Sequence, residues 1–160
     1  MKSSAAKLPK INGAKFKIAI VQALFNPIVT DGLLQGCYQG LREFNVVKSN
    51  VYHTTVPGSF ELGLMAKKLA ETKRFDAVIC LGAIIRGETA HFDYVALAAT
   101  YGTMLAGMQT GVPVIFGVIT ADNLKQAKAR SGKNPANRGY DAAKAAVLMI
   151  SNYKKINQKK

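Results

Sequence analysis

Acidic residues are scarce in this chain of 160 residues: Asp and Glu number 9 against 22 Lys and Arg, giving a net charge of +13. Cysteine is nearly absent. Cys37 and Cys80 are far apart, each in an apolar segment, with no CxxC or Cys/His ligand spacing around them. A disulfide framework and a thiolate metal site therefore have no support, and a reduced, cytoplasmic protein without a metal fits best. No stretch approaches the ~18 unbroken apolar residues of a membrane span. The first 17 residues hold five lysines but neither the apolar core of a secretory signal nor the arginines of a transit peptide. GxxxxGK[ST], HExxH and a Ser/His/Asp order are missing, as is GxGxxG after the first apolar run. Nucleotide hydrolysis, metalloproteolysis and dinucleotide redox chemistry are accordingly unsupported.

The basic excess is concentrated at the ends. Lys2, Lys7, Lys10, Lys15 and Lys17 precede the first apolar run, and Lys154, Lys155, Lys159 and Lys160 close the chain, with no acid in either segment. Nine of the thirteen net charges lie there, leaving +4 for the body. Charge runs of this kind are usually solvated tails. A nucleic-acid face needs cations clustered on a folded surface with aromatic platforms, and no such cluster occurs, so no specific nucleic acid is expected.

What is present is globular: 49% apolar and 19% charged residues. Residues 1–15 read as a Lys-rich lead-in broken by Pro9 and Gly13, and 156–160 as a basic tail. Between them, 16–155 reads as one domain. Strands are expected at Phe16–Gln22, Val46–Val56, Asp76–Ala83 and Pro113–Ile119, from β-branched or wholly apolar runs. Helices are expected at Thr30–Phe44, Phe60–Thr72, His91–Thr110, Asp122–Arg130 and Tyr140–Lys155, from 3.6-residue spacing. Ile84–Ala90 and Ser131–Gly139 read as loops. Such alternation implies a four-stranded parallel sheet with helices on both faces, a three-layer α/β sandwich of the flavodoxin-like kind. Sheets of this kind bind ligands beyond the carboxyl ends of their strands, where strand order reverses.

The residues after each strand are therefore the ones to question. Phe25, beside Asn26 and Pro27, either packs at the start of a helix or offers a stacking face to a planar ring. Ser59 and Glu61, after Pro57-Gly58, suit a helix start, yet a carboxylate and free amides there can also hold a polyol. Gly82 to His91 is the most informative segment. Gly87 permits close backbone approach, Thr89 can cap the next helix, and the free amides of that helix start form an anion site. His91 lies at the same place, where a neutral imidazole can exchange protons near neutral pH. His53, inside a strand, has no comparable setting. Phe116 within its strand reads as core, and Arg130, Lys133 and Arg138 as either a surface cluster or an anion site.

Phe25-Asn26, VPGSFE from Val56, GAIIRGETAHFDYV from Gly82, GVPVIFGVIT from Gly111 and the segment Asn123–Gly139 together resemble the 6,7-dimethyl-8-ribityllumazine synthase family. The resemblance spans about 16–150. It implies a cofactor-free condensation of 5-amino-6-ribitylaminouracil with 3,4-dihydroxy-2-butanone 4-phosphate, the penultimate step of riboflavin biosynthesis. It further implies that Phe25 stacks on the pyrimidine, with Asn26 beside it, and that backbone at Ala83, Ile84 and Ile85 binds the ring's polar edge. Ser59, Phe60 and Glu61 would hold the ribityl chain, Gly87, Glu88 and Thr89 would present amides to the phosphate, Arg130 would clamp it, and His91 would shuttle protons. The family's sites lie between subunits of a pentamer, sometimes within a sixty-subunit shell, so Phe116 and Arg138 would come from the neighbouring chain. Association with riboflavin synthase is a further implied partnership. Leu24 stands where the family often has Arg or Trp, and Arg138 where many members have Lys, which makes a bidentate contact available there. Two other readings share the fold: an archaeal-type riboflavin synthase, disfavoured by the intact His91 segment, and a noncatalytic flavin- or lumazine-binding shell protein, which needs neither His91 nor Arg130.

Overall fold

The structure, a computed structural model, describes residues 9–158. Lead-in residues 1–8, with Lys2 and Lys7, and the final Lys159 and Lys160 lie outside the described residues. Four strands form one all-parallel sheet: β1 (Ile18–Ala23), β2 (Val51–Val56), β3 (Ala77–Ile85) and β4 (Val114–Ala121), in the order β2-β1-β3-β4. Among the described residues the α-helices are α1 (Pro27–Glu43), α2 (Leu62–Glu71), α3 (His91–Thr110), α4 (Leu124–Ala129) and α5 (Arg138–Asn157).

The pleat sends alternate side chains of the two central strands to opposite layers. Ile18, Ile20, Ile79 and Leu81 join Leu33, Cys37, Leu41, Val147 and Ile150 under α1 and α5. Ala19, Val21, Val78 and Cys80 join Leu62, Ala66, Ala70 and Ala106 under α2 and α3. Both faces of the sheet are thus covered, as the α/β sandwich reading requires. β1 and β3 are buried on both sides, which is why they read as unbroken apolar runs.

Several boundaries depart from the sequence reading for local reasons. Helix α1 starts at Pro27 instead of Thr30, because proline fits the first helical position, where its missing N–H is not needed. Strand β2 begins only at Val51, since Lys48–Asn50 form a 3₁₀ turn and Val46 turns into the core. A second 3₁₀ turn, Ser59–Glu61, precedes α2. Ile84 and Ile85 belong to β3, where they pair with Thr120 and Ala121, and are not part of a loop. Helix α5 starts at Arg138 because Asn137 caps it, accepting from the N–H groups of Gly139 and Tyr140. Its last residues run into the stretch read as a tail. The end of the lead-in is docked: Gly13 is buried and donates its N–H to Phe44 O at 2.7 Å, and Ile11 packs on the core.

Helix α3 is apolar but not inward-facing. Its buried residues are the small Ala99, Thr103 and Ala106, while Tyr94, Leu97, Tyr101, Met104, Leu105 and Met108 are exposed. The small face lets α2 approach closely: a methyl group on Gly63 would lie 2.6 Å from the Gly102 backbone. Among the described residues, no helix is long and apolar enough to cross a membrane.

Candidate active site

Strand order reverses between β1 and β3, which are neighbours although β2 intervenes in sequence. The crossovers therefore leave in opposite directions and open a crevice at the carboxyl ends of the strands. A cavity of about 540 Å³ occupies that place. It is lined from β1's exit by Phe25 and Asn26, from the 57–61 turn, from β3's end by Ala83, Ile84 and Ile85, and from the start of α3.

Its rim is fixed by backbone bonds that continue the sheet past the strand ends. Leu24 N–H donates to Val56 O at 2.9 Å, and Phe25 N–H to Pro57 O at 3.1 Å. Asn26 turns the chain into α1 in the left-handed region, φ 60°, which asparagine tolerates better than most residues. Its Nδ2 donates to Ala83 O at 3.0 Å, joining the β1 loop to β3. Phe25 is thereby held on a firm base and is 71% exposed, and Phe60, which lines the same cavity, is 62% exposed. The helix-start packing weighed for Phe25 does not occur. Large rings left this open beside a crevice are suited to covering a planar ligand.

Glu61 and Ser59 differ in their constraints. Glu61 Oε2 accepts from Gly58 N–H at 2.9 Å, which fixes the carboxylate across the turn. Ser59 does not cap α2. Its Oγ is buried without a hydrogen-bond partner, pressed against β3, where a methyl on Gly82 would sit 2.5 Å from it. Such unpartnered groups are uncommon among buried polar atoms.

The segment between β3 and α3 is open. Gly87 has a negative φ, and a methyl there would meet no atom within 4 Å, so neither backbone strain nor packing demands glycine. Absence of a side chain leaves that space to a ligand. Thr89 is not the helix cap. Ala90 occupies that position, and Thr89 Oγ1 only accepts a long 3.4 Å bond from His91 N–H. Of the first amides of α3, His91 N–H is weakly engaged by Thr89 and Asp93 N–H donates to Ala90 O at 3.0 Å, which leaves Phe92 N–H to meet an anion. Arg86 is occupied: both terminal nitrogens engage Asp93, at 3.1 and 3.4 Å, and Nε lies 3.6 Å from Asp122. The Asp93 hydrogen bond raises the Arg86 guanidinium above its usual pKa, outweighing the opposing desolvation with help from the charges of both aspartates.

The cavity thus assembles Phe25, Asn26, Ser59, Phe60, Glu61, Ala83, Ile84, Ile85, Gly87, Thr89 and His91. It does not take in Glu88, Phe116, Arg130 or Arg138. The last three line a separate groove of about 420 Å³ between β4 and α5, which shares no residue with the first. Arg130 therefore does not meet the Gly87–Thr89 segment within one chain. Phe116 is not core either, being 42% exposed on an edge strand. Arg138 is paired with Asp141 at 3.1 Å. Pro57, Gly58, Phe92 and Val95 also line the cavity and were not singled out as ligand contacts. Phe92 and Val95 follow His91 on the first turns of α3, so helical spacing was the available signal. His53 lies away from the site and is 3.0 Å from Gln22 Oε1, with its pKa lowered by burial.

Fold and crevice define a class: a doubly wound parallel α/β protein with a switch-point pocket lined by Phe25, Phe60, the Glu61 turn and the Gly87–His91 segment. The family model described as 6,7-dimethyl-8-ribityllumazine synthase matches residues 15–154, nearly the whole chain, and the protein belongs to that family of riboflavin-biosynthesis transferases.

Proposed function

We propose that this chain condenses 5-amino-6-ribitylaminouracil with 3,4-dihydroxy-2-butanone 4-phosphate to give 6,7-dimethyl-8-ribityllumazine, phosphate and water. The observation that carries the reading is the single cavity joining two exposed rings, the Glu61 turn and the open Gly87–His91 segment. Phe25 stacks on the pyrimidine, and the Ala83–Ile85 backbone meets its polar edge. Ser59 and Glu61 hold the ribityl hydroxyls, which would give the buried Ser59 Oγ a partner after a small turn adjustment. The amides of Gly87, Glu88 and Thr89 face the phosphate. The primary amine attacks the ketone carbonyl, and water leaves as the imine forms. His91 moves the proton that accompanies loss of phosphate, and the second nitrogen closes the ring with loss of another water. Alignment of two reactants supplies most of the acceleration, on the order of 7–11 kcal/mol in well-oriented cases.

One chain carries the pocket at one end of the sheet and Phe116, Arg130 and Arg138 in a second groove at the β4 edge. The reading completes the site by setting the groove of one copy against the pocket of the next, in a closed ring of five. Sixty-subunit shells and a riboflavin synthase partner are extensions of that assembly. The exposed apolar face of α3 supports it, because six large apolar side chains on one helix are unusual on a monomer's surface. Arg130 then reaches the phosphate from the neighbour. The test mixes purified protein with both substrates and follows the lumazine chromophore by absorbance against a protein-free control. Acceleration is expected. A rate equal to the control in an assembled sample would sink the reading.

A further inference from the structure

Loop 86–90, on which the reaction proposed above depends, makes few bonds of its own. It is exposed throughout, and its internal ties are the 3.4 Å Thr89–His91 contact and Asp93 N–H to Ala90 O at 3.0 Å. What holds its two ends together is one side chain. Arg86 donates its backbone N–H to Ala121 O at 2.9 Å, which anchors it to the end of β4. From there its guanidinium reaches across the loop to the first turn of α3. It grips Asp93 with both terminal nitrogens and lies 4.1 Å above the ring centroid of Phe92, while Nε faces Asp122 beyond β4.

The geometry points to Arg86 as the positioning residue of the site: its bracket to Asp93 and Phe92 sets where Gly87, Thr89 and His91 stand relative to the pocket. Phe92 and His91 are adjacent on α3, and both line the cavity, so a shift of that turn moves the imidazole. Arg86 is not a ligand for the phosphate, because two carboxylates and an aromatic face already occupy it. Its ion pairs are solvent-exposed, with side chains 44% and 54% accessible for Arg86 and Asp93. Exposed pairs contribute little to global stability. The combination of a two-pronged carboxylate contact and a stacked ring is specific to a planar guanidinium, which lysine does not reproduce. The bracket thus acts on placement far more than on folding, and misplacing reacting groups by about an ångström costs on the order of a hundredfold in rate.

The test compares Arg86→Met, Arg86→Lys, Asp93→Asn and the Arg86→Met/Asp93→Asn double variant in the assembled protein. Expected for Arg86→Met is a loss in kcat on the order of ten- to hundredfold, a raised KM for the butanone phosphate and a nearly unchanged KM for the pyrimidine, whose stacking partner is elsewhere. Lysine should not rescue. In the Asp93→Asn background, the further loss on removing Arg86 should be much smaller than in the wild type, because both changes break one contact. Hydrogen exchange should quicken in residues 86–93 while peptides of α1 and α5 keep their protection. Full rescue by lysine, losses that multiply in the double variant, or unchanged exchange in 86–93 would each overturn the assignment. A wild-type protein without turnover would end the proposed reaction. The exchange experiment would then still decide whether Arg86 organises the loop.

Discussion

Replacing Asn137 should damage this protein more than its position in a breaker-rich link suggests. The residue is 5% exposed and its amide lies within hydrogen-bond distance of five backbone groups. Its Nδ2 shares two N–H donors among the carbonyls of Gly32, Ser131 and Gly132 at 2.9–3.0 Å. Its Oδ1 accepts from Gly139 and Tyr140 N–H at 2.9 and 3.1 Å, capping α5. One residue therefore ties α1, the 131–137 link and the start of α5, where Arg138 of the second groove begins. Losing an N-cap costs about 0.5–2 kcal/mol, and each remaining bond contributes about 0.5–1.5 kcal/mol net. With two N–H groups lost besides the cap, Asn137→Ala should cost about 1.5–5 kcal/mol, a sizeable share of the ~5–15 kcal/mol typical of a domain. Asn137→Asp separates the two roles. Aspartate caps helices as well as asparagine does in general, yet here it would aim a carboxylate oxygen at three carbonyls. It should be no better than alanine. Urea unfolding followed by far-UV circular dichroism, at fixed protein concentration because assembly shifts midpoints, reads both. An Asn137→Asp variant with the wild-type midpoint, or an alanine cost below about 1 kcal/mol, would refute the account of a helix cap combined with a shared amide donor.

If pocket and groove meet across subunits, His91→Ala and Arg130→Ala chains should complement each other. Co-assembled at equal ratio, about one quarter of the contacts pair an intact pocket with an intact groove, so activity should recover to about that fraction; activity no higher than the mean of the two variants in proven mixed oligomers would place the site within one chain. Gly87→Val should lower kcat/KM for the butanone phosphate by on the order of tenfold or more at unchanged melting temperature, since even the first added carbon enters open space with no protein atom within 4 Å; a fall in melting temperature with unchanged kinetics would contradict the open-space reading. Burial pushes both the Cys37 and Cys80 thiols from 9.0 up to about 12. Folding thus favours their neutral forms, and this contribution is complete below pH 9.0 and disappears as pH rises toward about 12. Iodoacetamide at pH 8 should leave both unmodified in the native protein and label both in urea, which intact-mass spectrometry reads; prompt native labelling would show that one of them is accessible.

Much of the fold was legible because burial on two faces writes a plain signature. FKIAIVQ and DAVICLGA read as buried strands, with helical stretches alternating between them. Boundaries were less legible where a side chain's tertiary partner decides. Nothing in RGETA marks Ile84 and Ile85 as strand; their pairing with Thr120 and Ala121 does. The tyrosines, leucines and methionines of α3 gave its helical period correctly, yet not its inward face. A close α2–α3 crossing selects small residues, and that proximity exists only in three dimensions.

For the site, local sequence determined which residue types stand after each strand, and the parallel topology carries those loops to one end of the sheet. Phe25, Glu61 and His91 therefore stand at one end of the sheet, and the order β2-β1-β3 sets their loops side by side. Tertiary structure decided the rest. It left Ser59 Oγ without a partner, closed Arg86 onto Asp93, and put Arg130 with Phe116 and Arg138 in a groove apart from the Gly87 segment. The physical reason is that sequence spacing fixes a side chain's direction along its own strand or helix, whereas its distance to another element is set by sheet order and by how closely the helices can pack.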